Sequence, residues 1–291
     1  MAATPPRPGP ARTVLEVVRL STGYLTDGGS GSPRLDAELL VAHALALRRI
    51  DLYLQHERPL TDPELAAIRE LLRRRGRGEP VAYLTGTREF YGRPFSVGPA
   101  VLIPRPETET LVQQALAVAR GLEEPPRIAD LGTGSGCVAC TLAAELPEAT
   151  VVACDLSAAA LQVAAANARA LGLAERVAFV EGGWEAGLDE GAGLVVANPP
   201  YVTAAEMSEL PRDVGFEPRL ALDGGADGLD AYRAILPAAA ARCPRLAWLG
   251  LEVDSRRADA VASLARATWP GAAVSIAEDL SRRPRVVEVR P

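Results

Sequence analysis

The sequence predicts an α/β fold, a seven-stranded doubly wound sheet with one reversed strand, preceded by a small helical bundle. Three observations predict it. Beyond Glu107, short wholly apolar segments alternate with helical stretches, the pattern of a largely parallel sheet covered on both faces. The last two apolar segments are joined only by DLSRRP, too short for a helical crossover, so the final strand runs antiparallel. From Thr13 to about Arg75, apolar residues recur instead at helical spacing.

At 291 residues the chain exceeds a typical single domain of ~100–200 residues, which favours one large domain and one smaller one. Residues 1–12 (MAATPPRPGPAR) are proline-rich and read as a disordered tail. Residues 13–78 read as the helical bundle: TVLEVVRLSTGYL, PRLDAELLVAHALAL, DLYLQ and TDPELAAIRELLRRR. The last opens with Thr61 and Glu64 in a capping-box pattern, with Pro63 in the first turn. Residues 79–106 mix glycine, proline, aromatic and β-branched types and read as a linker, with a short hairpin turning near Gly92 to Pro94. Residues 107–291 carry the strands RIADLG, TVVACD, RVAFVEG, LVVAN, LAWLGLEV, AAVSIAED and RVVEVR.

The first of these strands runs into Gly132, Thr133, Gly134, Ser135 and Gly136, and a helix is expected from Cys137. Glycines permit positive φ and close approach of a ligand to the backbone, as in loops that hold nucleotide-like molecules. The spacing is not G-x-G-x-x-G, and no lysine follows to make a phosphate-binding loop. Asp155 closes the second strand about 20 residues later, where a carboxylate takes both hydroxyls of a ribose. That pair fits a dinucleotide or S-adenosylmethionine, and a helix cap near Ser157 is the plainer use of Asp155. Asp130 fits a buried carboxylate that organises the loop. Trp184, after the third strand, fits an adenine face or a gap beneath a loop equally well.

The fourth strand stops at Asn198, Pro199, Pro200 and Tyr201. Two prolines remove two backbone donors and force the preceding residues into extended conformations, so the strand ends rigidly. The Asn198 side-chain oxygen and the Pro199 carbonyl can accept the two N–H bonds of a planar amino group, and Tyr201 offers a flat surface beside it. Stiff acceptors organised before the substrate arrives suit methylation of a weakly nucleophilic NH2. An Asn-Pro-Pro turn without chemistry is the competing reading.

Composition narrows the function classes. A net charge of −6 argues against broad capture of nucleic acid. The basic run Arg73, Arg74, Arg75 and Arg77 closes a helix, where the dipole favours cations. Cys137, Cys140, Cys154 and Cys243 read as small buried thiols, because no second cysteine pair and no nearby histidine completes a metal set. No run of ~18 apolar residues appears, so no membrane partner and a cytoplasmic location are expected.

The chain resembles the peptide chain release factor N5-glutamine methyltransferase family (PrmC/HemK) over nearly its whole length. The resemblance rests on RLDAELL, GEPVAYLTGTREFYG, LIPRPETE, DLGTGSG, NPPY, FEPRLALDGGADGLDAYR and DLSRRPRVV. NPPY alone marks amino-group methyltransferases in general; its combination with LIPRPETE and FEPRLAL is far more specific. The resemblance implies a class I S-adenosylmethionine-dependent methyltransferase with a Rossmann-like sheet. It implies methyl transfer from S-adenosyl-L-methionine, leaving S-adenosyl-L-homocysteine, to the side-chain amide of the glutamine in the Gly-Gly-Gln motif of class 1 release factors. Cofactor residues carry over to Gly132, Thr133, Gly134, Ser135, Gly136, Asp155, Trp184 and Asn198, and substrate residues to Asn198, Pro199, Pro200 and Tyr201. Asn198, Pro199 and Tyr201 are the expected catalytic residues, no metal is expected, and the protein is expected to be a monomer whose helical bundle recognises the release factor.

One departure stands out. Family members often carry an aspartate before the tryptophan, and this chain has Gly183 there, so that either Glu181 replaces it or the adenine hydrogen bond goes to water or backbone. By analogy Arg105, Glu107 and Glu217 line or brace the cleft, or form an ion pair that pins a polar linker. Two other function classes compete. A nucleic-acid amino methyltransferase acting on adenine or cytosine would use the same acceptors but needs a basic recognition domain. A non-catalytic adaptor would be expected to have lost the glycine loop or the tetrad, and both read as intact.

Overall fold

Thr13 and Thr61 each end an extended stretch and start a helix. Each side chain accepts from a glutamate N–H three residues on, and that glutamate accepts the threonine N–H in return. The computed structural model describes residues 12–291, so the tail expected over residues 1–12 lies, apart from Arg12, outside the described residues. Five helices form the smaller unit: α1 (Val14–Asp27), α2 (Pro33–Ala44), α3 (Asp51–Leu54), α4 (Asp62–Gly76) and α5 (Val81–Thr85). Val14, Val41, Leu60 and Ile68 are buried between them. Three of the four arginines of the basic run are paired within this unit: Arg73 with Glu70, Arg74 with Glu79, and Arg75 with Asp36 at 2.8 Å.

The described residues divide into 12–86 with 212–216, and 87–211 with 217–291. The stretch 79–106 is therefore split. Helix α5 joins the bundle, while the hairpin of β1 (Thr87–Phe90) and β2 (Arg93–Ser96) joins the larger unit. The reason is packing, since Phe90 and Phe95 meet edge to face at 6.2 Å and are buried in the larger unit's core. The hairpin turns at Tyr91 and Gly92, whose φ of 50° and 70° make the two-residue turn matching strand twist. That is slightly earlier than the expected Gly92 to Pro94.

In the larger unit the chain runs α6 (Thr108–Ala119), β3 (Arg127–Leu131), α7 (Cys137–Glu145), β4 (Thr150–Asp155), α8 (Ala158–Ala170), β5 (Val177–Glu181) and β6 (Ala192–Ala197). It continues through α9 (Ala204–Met207), α10 (Asp230–Arg242), β7 (Trp248–Glu252), α11 (Ala258–Thr268), β8 (Ala273–Glu278) and β9 (Pro284–Arg290). All seven expected strands form one sheet of order β5-β4-β3-β6-β7-β9-β8. The first five are parallel, and β9 runs antiparallel between β7 and β8, as the short link requires. One face is covered by α6, α7 and the hairpin around Leu111, Cys140 and Leu142, the other by α10 and α11 around Tyr232, Ile235 and Val261. The four cysteines are free and buried in these layers, and burial pushes the Cys137 and Cys140 thiols up to about 12. No described helix is long and apolar enough to cross a membrane.

Candidate active site

Chain order leaves β3 in two directions, toward β4 and β5 on one side and toward β6 and β7 on the other. The strands' carboxyl ends therefore part at β3 and open a crevice for a ligand. Register then decides which residues meet there. Leu131 is opposite Cys154 and Ala197, Asp155 is opposite Glu181, and Ala197 is opposite Leu251. The next residues along, Gly132, Asp155, Asn198 and Glu252, therefore come to the same edge of the sheet.

The glycine loop is built against β4. The N–H groups of Gly132 and Thr133 both donate to the Cys154 carbonyl at 2.9 Å. Gly132, Gly134 and Gly136 have φ of 72°, 56° and 77°, a region that side-chain-bearing residues avoid. A Cβ on Gly136 would stand 3.0 Å from Ala164 of α8, and one on Gly132 would stand 3.0 Å from the Trp184 ring; Gly134 faces open space. Asp130 is buried behind the loop, accepting from the Thr133 hydroxyl at 2.7 Å and the Ala139 N–H at 3.1 Å. Burial pushes its carboxyl up to about 6.

Asp155 accepts the Gly134 N–H and the Ser157 N–H, each at 2.9 Å, so it ties the glycine loop to the start of α8. The cap itself is Ser157, whose hydroxyl accepts from Ala160. Trp184 opens a short 3-10 turn and packs against Gly132 and the core beneath. Glu181 is exposed and outside the cavity wall. The carboxylate nearest Gly183 is that of Glu185, 3.2 Å from where a Cβ would stand.

A cavity of about 420 Å³ joins these groups to the NPPY segment. Gly132, Gly134, Asp155, Trp184, Asn198 and Pro200 are in its wall, which residues from 100–105 and 218–223 complete. Pro199 is buried behind the wall. Tyr201 is half-buried against the core under β6 and β7 rather than in the wall, and burial pushes its hydroxyl up to about 12. Asn198 Nδ2 donates to the Thr108 hydroxyl at 3.2 Å, leaving its Oδ1 free to accept.

Arg105 lines the cavity and Glu217 braces it: the Glu217 carboxylate is buried, pairs with Arg105 and accepts the Ile103 N–H at 3.0 Å. Glu107 is exposed, at the start of α6 and outside the wall.

Sequence reasoning missed several residues that hold the site together. Asn167 of α8 donates to the Ser135 and Ser96 carbonyls and accepts the Ser96 N–H, clamping the glycine loop to the hairpin. A Cβ on Gly224 would come within 2.6 Å of the Tyr201 Cα, and one on Gly228 within 2.3 Å of the Tyr201 carbonyl. The cluster GGADG was the available signal, since glycine is demanded where two backbones touch. Thr108 and Glu252 carried no local signal, because only strand register and the α6 N-terminus bring them to Asn198.

With this geometry in hand, residues 16–86 match the family described as PrmC N-terminal domain, and residues 108–211 match the Methyltransferase small domain. The chain is 48% identical to the release factor glutamine methyltransferase of Moorella thermoacetica, over 84% of this chain and 86% of that one. It is 42% identical to the release factor glutamine methyltransferase of Cereibacter sphaeroides, over 94% of this chain and 97% of that one. Among solved structures, the hMettl16 catalytic domain in complex with MAT2A 3'UTR hairpin 6 shares the fold at a TM-score of 0.56 and 15% identity. That likeness covers 79% of this chain and 82% of the other.

Proposed function

The chain belongs to the release factor glutamine methyltransferase family, and from that premise we propose how its own residues methylate the side-chain amide nitrogen of the Gly-Gly-Gln glutamine in class 1 release factors. One observation carries the proposal: a glycine loop and Asn198, whose Nδ2 is engaged by Thr108, share one cavity at the switch point of the sheet.

The residues present fit S-adenosyl-L-methionine. Gly134 leaves open space over a positive-φ loop, Asp155 stands at the end of β4 as a carboxylate for ribose hydroxyls, and Trp184 offers a ring at the wall. When bound, the cofactor supplies an electrophilic methyl group on a sulfonium. Asn198 Oδ1 accepts one N–H of the glutamine amide and the Pro199 carbonyl accepts the other, which fixes the nitrogen and raises its lone-pair density. Tyr201, packed against the core, supports the motif from beneath, and the two prolines hold the acceptors still. The wall from residues 100–105 and 218–223, pinned by Arg105 and Glu217, excludes water from the amide. The helical bundle recognises the folded release factor, and the protein works as a cytoplasmic monomer.

The test is to incubate the protein with labelled S-adenosylmethionine and a class 1 release factor, beside a copy whose motif glutamine is alanine, and to locate label by mass spectrometry. Label on the glutamine of the first and none on the second is expected. No label on either would overturn the proposal and turn attention to nucleic-acid amines.

A further inference from the structure

Asparagine is nearly symmetric in shape, and its amide is useful as an acceptor only when the oxygen, not the NH2, faces the substrate. A hydroxyl partner does not decide this by itself, because it can donate to the oxygen or accept from the nitrogen. The decision needs a group that uses up the hydroxyl hydrogen. Glu252 is such a group. It ends β7, one residue beyond the Leu251–Ala197 pair, and therefore comes to the same edge of the sheet as Asn198. Glu252 is 2% exposed, its Oε2 is buried without a hydrogen-bond partner, and the Thr108 hydroxyl favours its ionised form.

We propose that Thr108 and Glu252 are positioning residues that set which way round the Asn198 amide stands. This rests on the functional reading of the site given above. The ionised Glu252 carboxylate has no hydrogen to give, so it takes the one on Thr108 Oγ1. The lone pairs of Thr108 Oγ1 are then left for Asn198 Nδ2, and Oδ1 turns to the cavity. Thr108 itself is 2% exposed at the first turn of α6, so its hydroxyl is shielded from water. When Glu252 is protonated it can donate to Thr108, and the bias on Asn198 is lost.

The charged and titratable groups around Glu252 are Arg105 and Glu107 before α6, Tyr201 after β6, Tyr232 of α10, Arg285 of β9 and Cys137 of α7. Burial dominates them and pushes the Glu252 carboxyl up to about 7, so the orienting charge is gained as pH rises through neutrality.

The experiment is single-turnover methylation of a class 1 release factor by the full chain, with cofactor affinity measured separately. Thr108→Val keeps the shape and removes the hydroxyl; it should slow methyl transfer about tenfold with cofactor affinity within twofold, while Thr108→Ser should stay within about threefold of wild type. In an Asn198→Ala background the same Thr108→Val change should cost less than twofold, because the amide it orients is gone. Glu252→Gln should slow transfer severalfold at pH 8 and abolish the rise in wild-type rate through about pH 7. Equal cost of Thr108→Val in both backgrounds, or wild-type rates for both Thr108→Val and Glu252→Gln, would overturn the inference while leaving an active wild type. A wild type that transfers no methyl group to the glutamine would overturn the functional reading and this inference with it.

Discussion

Glu252→Gln should stabilise the larger unit at the same time as it slows the reaction. The wild-type carboxyl ordinarily titrates at 4.5, and burial moves it to about 7 in the folded chain. Below pH 4.5 the group is protonated whether folded or unfolded, and it contributes nothing to pH dependence. Between 4.5 and about 7 the unfolded chain gives up its proton while the folded chain keeps it, so stability falls as pH rises; above 7 the full cost is present. At ~1.4 kcal/mol per pH unit, that interval amounts to on the order of 3 kcal/mol at pH 8. A glutamine has the same shape and no charge, so the variant should match wild type near pH 4.5 and exceed it increasingly up to pH 7. For a unit of this size, this corresponds to a rise in Tm of roughly 6–12 °C at pH 8. Urea unfolding followed by tryptophan fluorescence is the assay, because Trp184, Trp248 and Trp269 all lie in the larger unit. Asp130 also titrates above its usual range, but it is present in both proteins and cancels in the difference. A stability difference that stays flat from pH 5 to pH 8 would refute the reasoning, since it would mean that Glu252 ionises as easily folded as unfolded.

Asn198→Ala removes the orienting acceptor and should cost at least tenfold in turnover with cofactor affinity retained; unchanged turnover in a methyl-transfer assay would remove Asn198 from the mechanism. Asp155→Ala releases the Gly134 N–H and should weaken cofactor binding about 10- to 100-fold by calorimetry, whereas an unaltered Kd would leave Asp155 a brace between loop and helix. Gly224→Ala forces a methyl within 2.6 Å of the Tyr201 backbone and should destabilise by about 1–3 kcal/mol while lowering kcat more than cofactor affinity. Wild-type kinetics for it would show that the Tyr201 segment shifts freely. Glu217→Gln weakens the brace on Ile103 and Arg105 and should speed proteolysis within residues 100–107; cleavage at the wild-type rate would show that the segment is held by its apolar residues alone.

The sequence by itself determined the alternation of apolar strands with helices, the reversed last strand, the glycine loop, Asp155, Trp184 and the NPPY segment. Each is local chemistry: periodicity follows from what a strand or helix buries, glycines mark positive φ, and paired prolines stop a strand wherever they occur. The tertiary structure decided what those pieces face. Parallel register, which no single strand encodes, brought the strand ends that carry Gly132, Asp155, Asn198 and Glu252 to one edge of the sheet. Packing, rather than composition, carried the Phe90 and Phe95 hairpin into the larger unit and α5 into the bundle, because the two rings are buried in the larger unit's core. Tyr201 shows the difference most directly. Its position in the motif places it at the site, but its ring lies against the core instead of in the cavity wall. Gly224 and Gly228, more than 20 residues away, lie against the Tyr201 backbone, and that close approach is a property of the folded chain alone.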